Sequence, residues 1–143
     1  MSDTAVRTGP ATGRRTRHLA VTGLIATLAA MIVTTLAAAL AQALGVDFKV
    51  SGSDEAIPLS GIAVVTGFFS LVGTVIAVAI LRWSARPAER FVWTAGSLTA
   101  ISLVPPVLSA ADTATTAALI GLHLVAAAVM IATLARSLRT ASE

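Results

Sequence analysis

Four apolar stretches, at about residues 19–44, 57–81, 91–110 and 113–135, contain no Asp, Glu, Lys or Arg. Each reaches the ~20 residues that a helix needs to cross a ~30 Å hydrocarbon layer. A water-soluble core of 143 residues could not hide four such segments, and 12% charged residues could not cover a soluble surface, which averages about 25%. The pattern therefore predicts an all-α fold, a four-helix transmembrane bundle. The first stretch, at ~1.5 Å per residue, spans roughly 39 Å, so it must tilt or extend past the interface.

Charge sets the expected orientation. All nine arginines lie in the N-terminal segment (Arg7, Arg14, Arg15, Arg17), the second loop (Arg82, Arg86, Arg90) and the C-terminal segment (Arg136, Arg139). The first and third loops hold Lys49 against Asp47, Asp54, Glu55 and Asp112. Short loops rich in Lys and Arg stay in the cytoplasm. Both termini are thus expected to be cytoplasmic in a bacterial plasma membrane. The high isoelectric point does not predict nucleic-acid binding, because the basic residues are scattered beside membrane segments. Arg14, Arg15 and Arg17 are candidate anchors at anionic headgroups. Trp83 and Trp93 flank the second loop as candidate interface anchors.

The chain divides into a basic tail over 1–17, expected to be disordered, a transmembrane domain over 18–136, and a short cytoplasmic tail over 137–143. Gly45 is an expected helix stop, and Pro58 suits the start of the second helix. The stretch Val46-Asp47-Phe48-Lys49-Val50 alternates apolar and polar residues, as a short extended piece would. Ala41-Gln42-Ala43 resembles a leader-peptidase site, but the apolar run before it is about 22 residues against 7–15 for a signal core. The first helix is therefore expected to be retained.

Two features in the spans invite a functional reading. His123, eleven residues after Asp112 and thirteen before Arg136, is the one ionisable residue inside a predicted span. At such depth it is a candidate proton relay, substrate contact or haem ligand, or else a neutral imidazole bonded to a neighbouring helix. Bis-histidine haem ligation would need His18, which falls at the cytoplasmic end of the first helix. Pro105-Pro106 interrupts the third helix, which should kink or break near Val104 and free the carbonyls of Ile101 and Ser102. Ser102, the freed carbonyls and Ser70 share the expected depth of His123 and are its expected hydrogen-bond partners.

On the fourth helix, Ala114, Ala117, Gly121, Ala128 and Ala132 share one face, with His123 nearly opposite beside Leu119, Ala126 and Met130. A small-residue face favours close helix contact. Either His123 points inward and the smooth face meets a second subunit, or the reverse. Gly73-x-x-x-Ala77 and Gly96-x-x-x-Ala100 are further small-residue pairs. The four outer carboxylates Asp47, Asp54, Glu55 and Asp112 read as a solvated face more readily than as a cation site.

There is no cysteine, phosphate-binding loop, dinucleotide fingerprint, zinc-protease motif or nucleophile elbow. No catalytic residue, metal or cofactor is therefore assigned. The expected function is that of a non-enzymatic accessory or helix-packing interaction protein. The expected partners are the bilayer, a second copy through small-residue faces, and an unidentified membrane protein. The alternatives are a small transporter or channel-like oligomer for a neutral or lipophilic solute passing His123, and a haem- or quinone-linked redox subunit.

Ser102-Leu103-Val104-Pro105-Pro106, followed by Leu122-His123-Leu124-Val125-Ala126-Ala127-Ala128-Val129, resembles a family of small actinobacterial membrane proteins, domain-of-unknown-function family 6069. The Arg-rich start, the first loop entering at Val46-Asp47 and the Ile57-Pro58 turn are similar too. The layout matches over nearly the whole chain, the motifs over the third and fourth helices, with Val104 where a glycine would be expected. The resemblance implies a four-helix integral membrane protein and no particular activity.

Overall fold

A computed structural model describes residues 10–52, 54–109 and 112–142. Its helices are α1 (Pro10–Ala43), α2 (Leu59–Trp83), α3 (Pro87–Ser102), α4 (Val104–Ser109) and α5 (Thr113–Ser142). Helices α3 and α4 together form the third span, Pro87–Leu108, so four spans are long and apolar enough to cross a membrane.

Two of the helices outrun their apolar stretches. α1 begins at Pro10, so residues 10–17, expected to be disordered, are helical; residues 1–9 lie outside the described residues. α5 continues to Ser142, well past the expected end at Ala135. The α5 extension is amphipathic, whereas residues 13–18 of α1 are polar and largely exposed. Leu19 on α1 and Leu134 and Leu138 on α5 are fully buried in one cluster, while Arg14, Arg15, Arg17, Arg136 and Arg139 are exposed. On α5 hydropathy falls after Ala135, but buried Leu134 and Leu138, at i and i+4, carry the helix past that point.

Helix ends follow local chemistry. Gly45 stops α1 at φ +94°, with Val46 N–H donating to the Ala41 carbonyl and Gly45 N–H to that of Gln42, both at 3.0 Å. This six-to-one and five-to-two pair is the Schellman arrangement, which needs a left-handed residue that glycine supplies at no steric cost. Pro87 opens α3, where its missing donor is not needed. Asp112 caps α5: one carboxylate oxygen accepts the Thr115 N–H and the other the Thr115 hydroxyl, both at 2.8 Å. Those bonds, the backbone one first, hold the Asp112 carboxyl below its ordinary range.

The bundle is inverted relative to a soluble protein. Thr27, Thr34, Ser70 and Thr74 are buried between helices, while Leu24, Ile32, Leu36, Phe68, Phe69 and Val75 face outward. At most 28% of the apolar window of any span is buried within the monomer. Large apolar side chains outside and small polar ones inside suit a hydrocarbon solvent, where close packing rather than apolar burial drives helix association.

α1 packs chiefly on α2 and α5. The α1 stripe is Leu19, Gly23, Ala26, Thr27, Ala30, Thr34 and Ala38, and the α2 stripe is Gly67, Ser70, Thr74 and Ala77. A methyl added at Gly23 would collide with the Thr74 side chain, and one at Gly67 would come within 2.8 Å of Met31 Sδ. The small pairs singled out from sequence behave otherwise. Ala77 is buried but Gly73 faces open space, and Gly96 and Ala100 are both exposed. Hydroxyls inside the stripes bond to the preceding turn, as Thr27 does to the Gly23 carbonyl at 2.8 Å and Thr34 to that of Ala30 at 2.7 Å.

The two ends differ. At one, Leu19, Phe91, Leu134 and Leu138 bring together the start of α1, the start of α3 and the end of α5, with Ile80 and Leu81 from the end of α2. This end gathers the arginines from three separate segments. At the other, Phe48 is fully buried with Ala38, Ile62 and Leu122. The first loop folds back to place it there: Ile57 N–H donates to the Phe48 carbonyl at 3.0 Å, and Lys49 pairs with Ala56 in an isolated antiparallel bridge. Phe48 adopts φ +50°, a region costly for residues with a side chain.

A candidate polar site beside the third-span interruption

Of the kink or break expected at Pro105-Pro106, the structure shows a slight kink. Leu103 keeps right-handed helical angles of φ −76° and ψ −16°, and its N–H bonds the Ala100 carbonyl at 3.3 Å. Val104, where the kink or break was expected, and Pro105 lie inside α4. The prolines occupy the first turn of that short helix, where a backbone donor has no intrahelical partner to lose. Restarting the helix one residue earlier thus absorbs both prolines with little change of direction. Ala110, the expected end of this span, lies outside the described residues.

His123 meets α3 at this kink. Its Nε2 lies 2.7 Å from Ser102 Oγ, which lies 2.9 Å from the Thr99 carbonyl. Both residues are half-buried. A serine hydroxyl has one proton. If it donates to Thr99, then His123 donates through Nε2–H and leaves Nδ1 as an acceptor. If it donates to His123 instead, Nδ1 carries the proton. Either way the bond ties α5 to α3. Ser70 is not part of it. It is buried in α2, where its carbonyl accepts the Thr74 hydroxyl at 3.0 Å.

The face of α5 away from His123 points out of the monomer. Ala114, Ala117, Gly121, Ala128 and Ala132 are exposed, and nothing lies within 4 Å of a methyl built on Gly121. Leu119 and Ala126, on the His123 side, are half-buried and Met130 is buried. Of the two arrangements open from sequence, the structure adopts the one with His123 inward and the smooth face outward.

The interface residues all map to the arginine-rich end. Trp83 is 80% and Trp93 71% exposed, as a side chain immersed in headgroups would be. Arg14 and Arg15 line a cavity of about 270 Å³ with His18, Ser137, Thr140 and Ala141. A second cavity of about 350 Å³ lies between Ala88, Glu89, Val92, Trp93 and Arg139. Neither is lined by His123 or Ser102. His18 adjoins Ser137, which lies about 21 Å along α5 from His123 at the usual helical rise. The two imidazoles of one chain are therefore not brought together. Among the described residues no three His, Asp or Glu side chains assemble into a metal-binding group.

What sequence reasoning missed is Phe48, the Gly23–Thr74 and Gly67–Met31 approaches, and Ser137. The glycine contacts carry a readable signal, since small residues recur every three or four positions along both helices. Phe48 and Ser137 carry none. Set against known proteins, residues 14–140 match the model of a family of unknown function, DUF6069. No curated protein and no solved structure matches the chain.

Proposed function

We propose that this chain, which belongs to the DUF6069 family, is a non-enzymatic accessory protein of the bacterial plasma membrane that works through helix packing, with both termini in the cytoplasm. The observation that carries the reading is the use made of His123. The one ionisable side chain within the four apolar stretches is committed to Ser102 at 2.7 Å, as a tie between two helices. What remains for function is the outer surface, where the smooth face of α5 is unpartnered and just 6% of the third span's apolar window is buried. We infer that a second copy packs there, with Gly121 allowing close backbone approach. The orientation rests on the clustering of arginines at one end and acidic loops at the other.

Two substitutions test this reading. Gly121→Leu fills the smooth face from outside and improves helix propensity by nearly ~1 kcal/mol, so the monomer's thermal stability in detergent should hold or rise. Self-association, read by energy transfer between labelled copies in liposomes, should fall to background. His123→Leu should cost about 0.6 kcal/mol, within the ~1.7 kcal/mol upper range for such bonds in membranes, and leave association intact. Wild-type protein that shows no energy transfer, or Gly121→Leu that associates normally, would contradict the proposal. His123 is half-exposed, which favours the transport reading second. Loss of a cellular phenotype in His123→Leu at unchanged stability and association would put that reading first.

A further inference from the structure

Four buried or half-buried threonine hydroxyls in this bundle return to the preceding turn: Thr27 to Gly23, Thr34 to Ala30, Thr74 to Ser70 and Thr133 to Val129, at 2.7–3.0 Å. Ser137 does not. It is 8% exposed, its Oγ is shielded from solvent, and that oxygen has no hydrogen-bond partner. A buried hydroxyl left unpaired is unfavourable and uncommon in folded proteins.

Ser137 lines the 270 Å³ cavity between the start of α1 and the end of α5. The donors around it are the Arg14 and Arg15 guanidinium groups and the His18 ring, and among the described residues no carboxylate lines the cavity. Thr140 also lines it, but its hydroxyl is committed to the Ser137 carbonyl at 3.0 Å. Leu19 and Leu138, next in sequence to His18 and Ser137, are fully buried in the apolar core. The cavity therefore sits where hydrocarbon gives way to the polar interface. Guanidinium forks match phosphate oxygens in geometry as well as charge. The C-terminal dipole of α5 opposes an anion with roughly half a charge, which two arginines outweigh.

We propose that this cavity binds a phosphate-ester oxyanion, with Arg14 and Arg15 supplying charge and the Ser137 hydroxyl, now turned away from solvent, rotating about χ1 to donate to it. A phospholipid headgroup and a soluble phosphate share that chemistry, and the bilayer position makes the headgroup the expected source. The inference is independent of self-association.

The test uses the full chain in phosphatidylcholine nanodiscs, with phosphatidylglycerol doped in or with inorganic phosphate or glycerol phosphate added. The melting temperature should rise with phosphatidylglycerol. A rise with soluble phosphate alone would support the same site and name the other source. Arg14→Gln/Arg15→Gln should abolish the rise, whereas Arg86→Gln/Arg90→Gln, which removes equal charge from the second loop, should retain it. Ser137→Ala separates binding from folding. Without the anion it should melt at or above the wild-type temperature, because an unpaired hydroxyl is gone, while affinity drops roughly tenfold. No rise with any anion, equal losses in the two arginine pairs, or unchanged affinity in Ser137→Ala would overturn the proposal.

Discussion

Phe48→Ala should lower the unfolding free energy in detergent by about 3–5 kcal/mol, the range for emptying a fully buried aromatic site. Phe48 is 0% exposed and is the one aromatic side chain in its cluster, beneath the loop that joins α1 to α2. Removing the ring separates Ala38, Ile62 and Leu122, which come from three different helices. The backbone sharpens the prediction. At φ +50° an alanine keeps the steric cost of a Cβ, roughly 1–2 kcal/mol, while a glycine does not. Phe48→Gly should therefore melt above Phe48→Ala, although it removes one more carbon. The reverse order in a thermal melt would show that φ at this position is not a constraint, and a wild-type melting temperature for Phe48→Ala would show that the ring does not hold the loop.

The second large effect is expected at Gly23→Leu. The new Cβ alone would overlap Thr74, and Thr74 Cβ itself is 3.0 Å away, so a change of Thr74 rotamer cannot clear the clash. The helices must separate, and with them the stripe from Ala26 to Ala38. Overpacking of this kind costs about 1–3 kcal/mol and occasionally more. In a membrane bundle the loss is compounded, because small-residue contact is the main source of helix association there. Gly121→Leu is the internal comparison: same chemistry, same kind of helix, no neighbour within 4 Å. A lower melting temperature for Gly23→Leu beside an unchanged one for Gly121→Leu is the expected pair of results. Equal behaviour of the two would mean that α1 and α2 do not approach as closely as described.

Both positions show where sequence reading works and where it stops. The four spans and the helical class were legible because the hydrocarbon layer demands long uncharged stretches, and Gly45 and Pro58 mark element ends through backbone chemistry alone. The ends of α1 and α5 were not, because Arg14 and Arg139 lie on polar turns that continue the helices past the apolar stretches. The proline pair was read as a kink or break, and the slight kink is there, with a restart at Val104 that places both prolines where helices tolerate them. The bond between His123 and Ser102 was legible as one of a few options, since an imidazole at that depth needs a partner and α3 offered a hydroxyl at the same level. Phe48 was hidden, because nothing in an eleven-residue polar loop says which of its apolar side chains turns back into the bundle. Ser137 was hidden for a related reason. A serine on a helix normally satisfies itself, and only packing reveals one that does not.

The proposed cytoplasmic termini require that the arginine-rich end of the bundle, which also holds the proposed anion site, faces the cytoplasm. The chain has no cysteine, so single cysteines report without background. Ser51→Cys places a thiol in the exposed first loop and Ala85→Cys one in the exposed second loop. Intact cells would be treated with a membrane-impermeant maleimide before and after permeabilisation. The prediction is immediate labelling of Ser51→Cys and labelling of Ala85→Cys only once the membrane is opened. Labelling of Ala85→Cys in intact cells, with Ser51→Cys protected, would invert the molecule and contradict it.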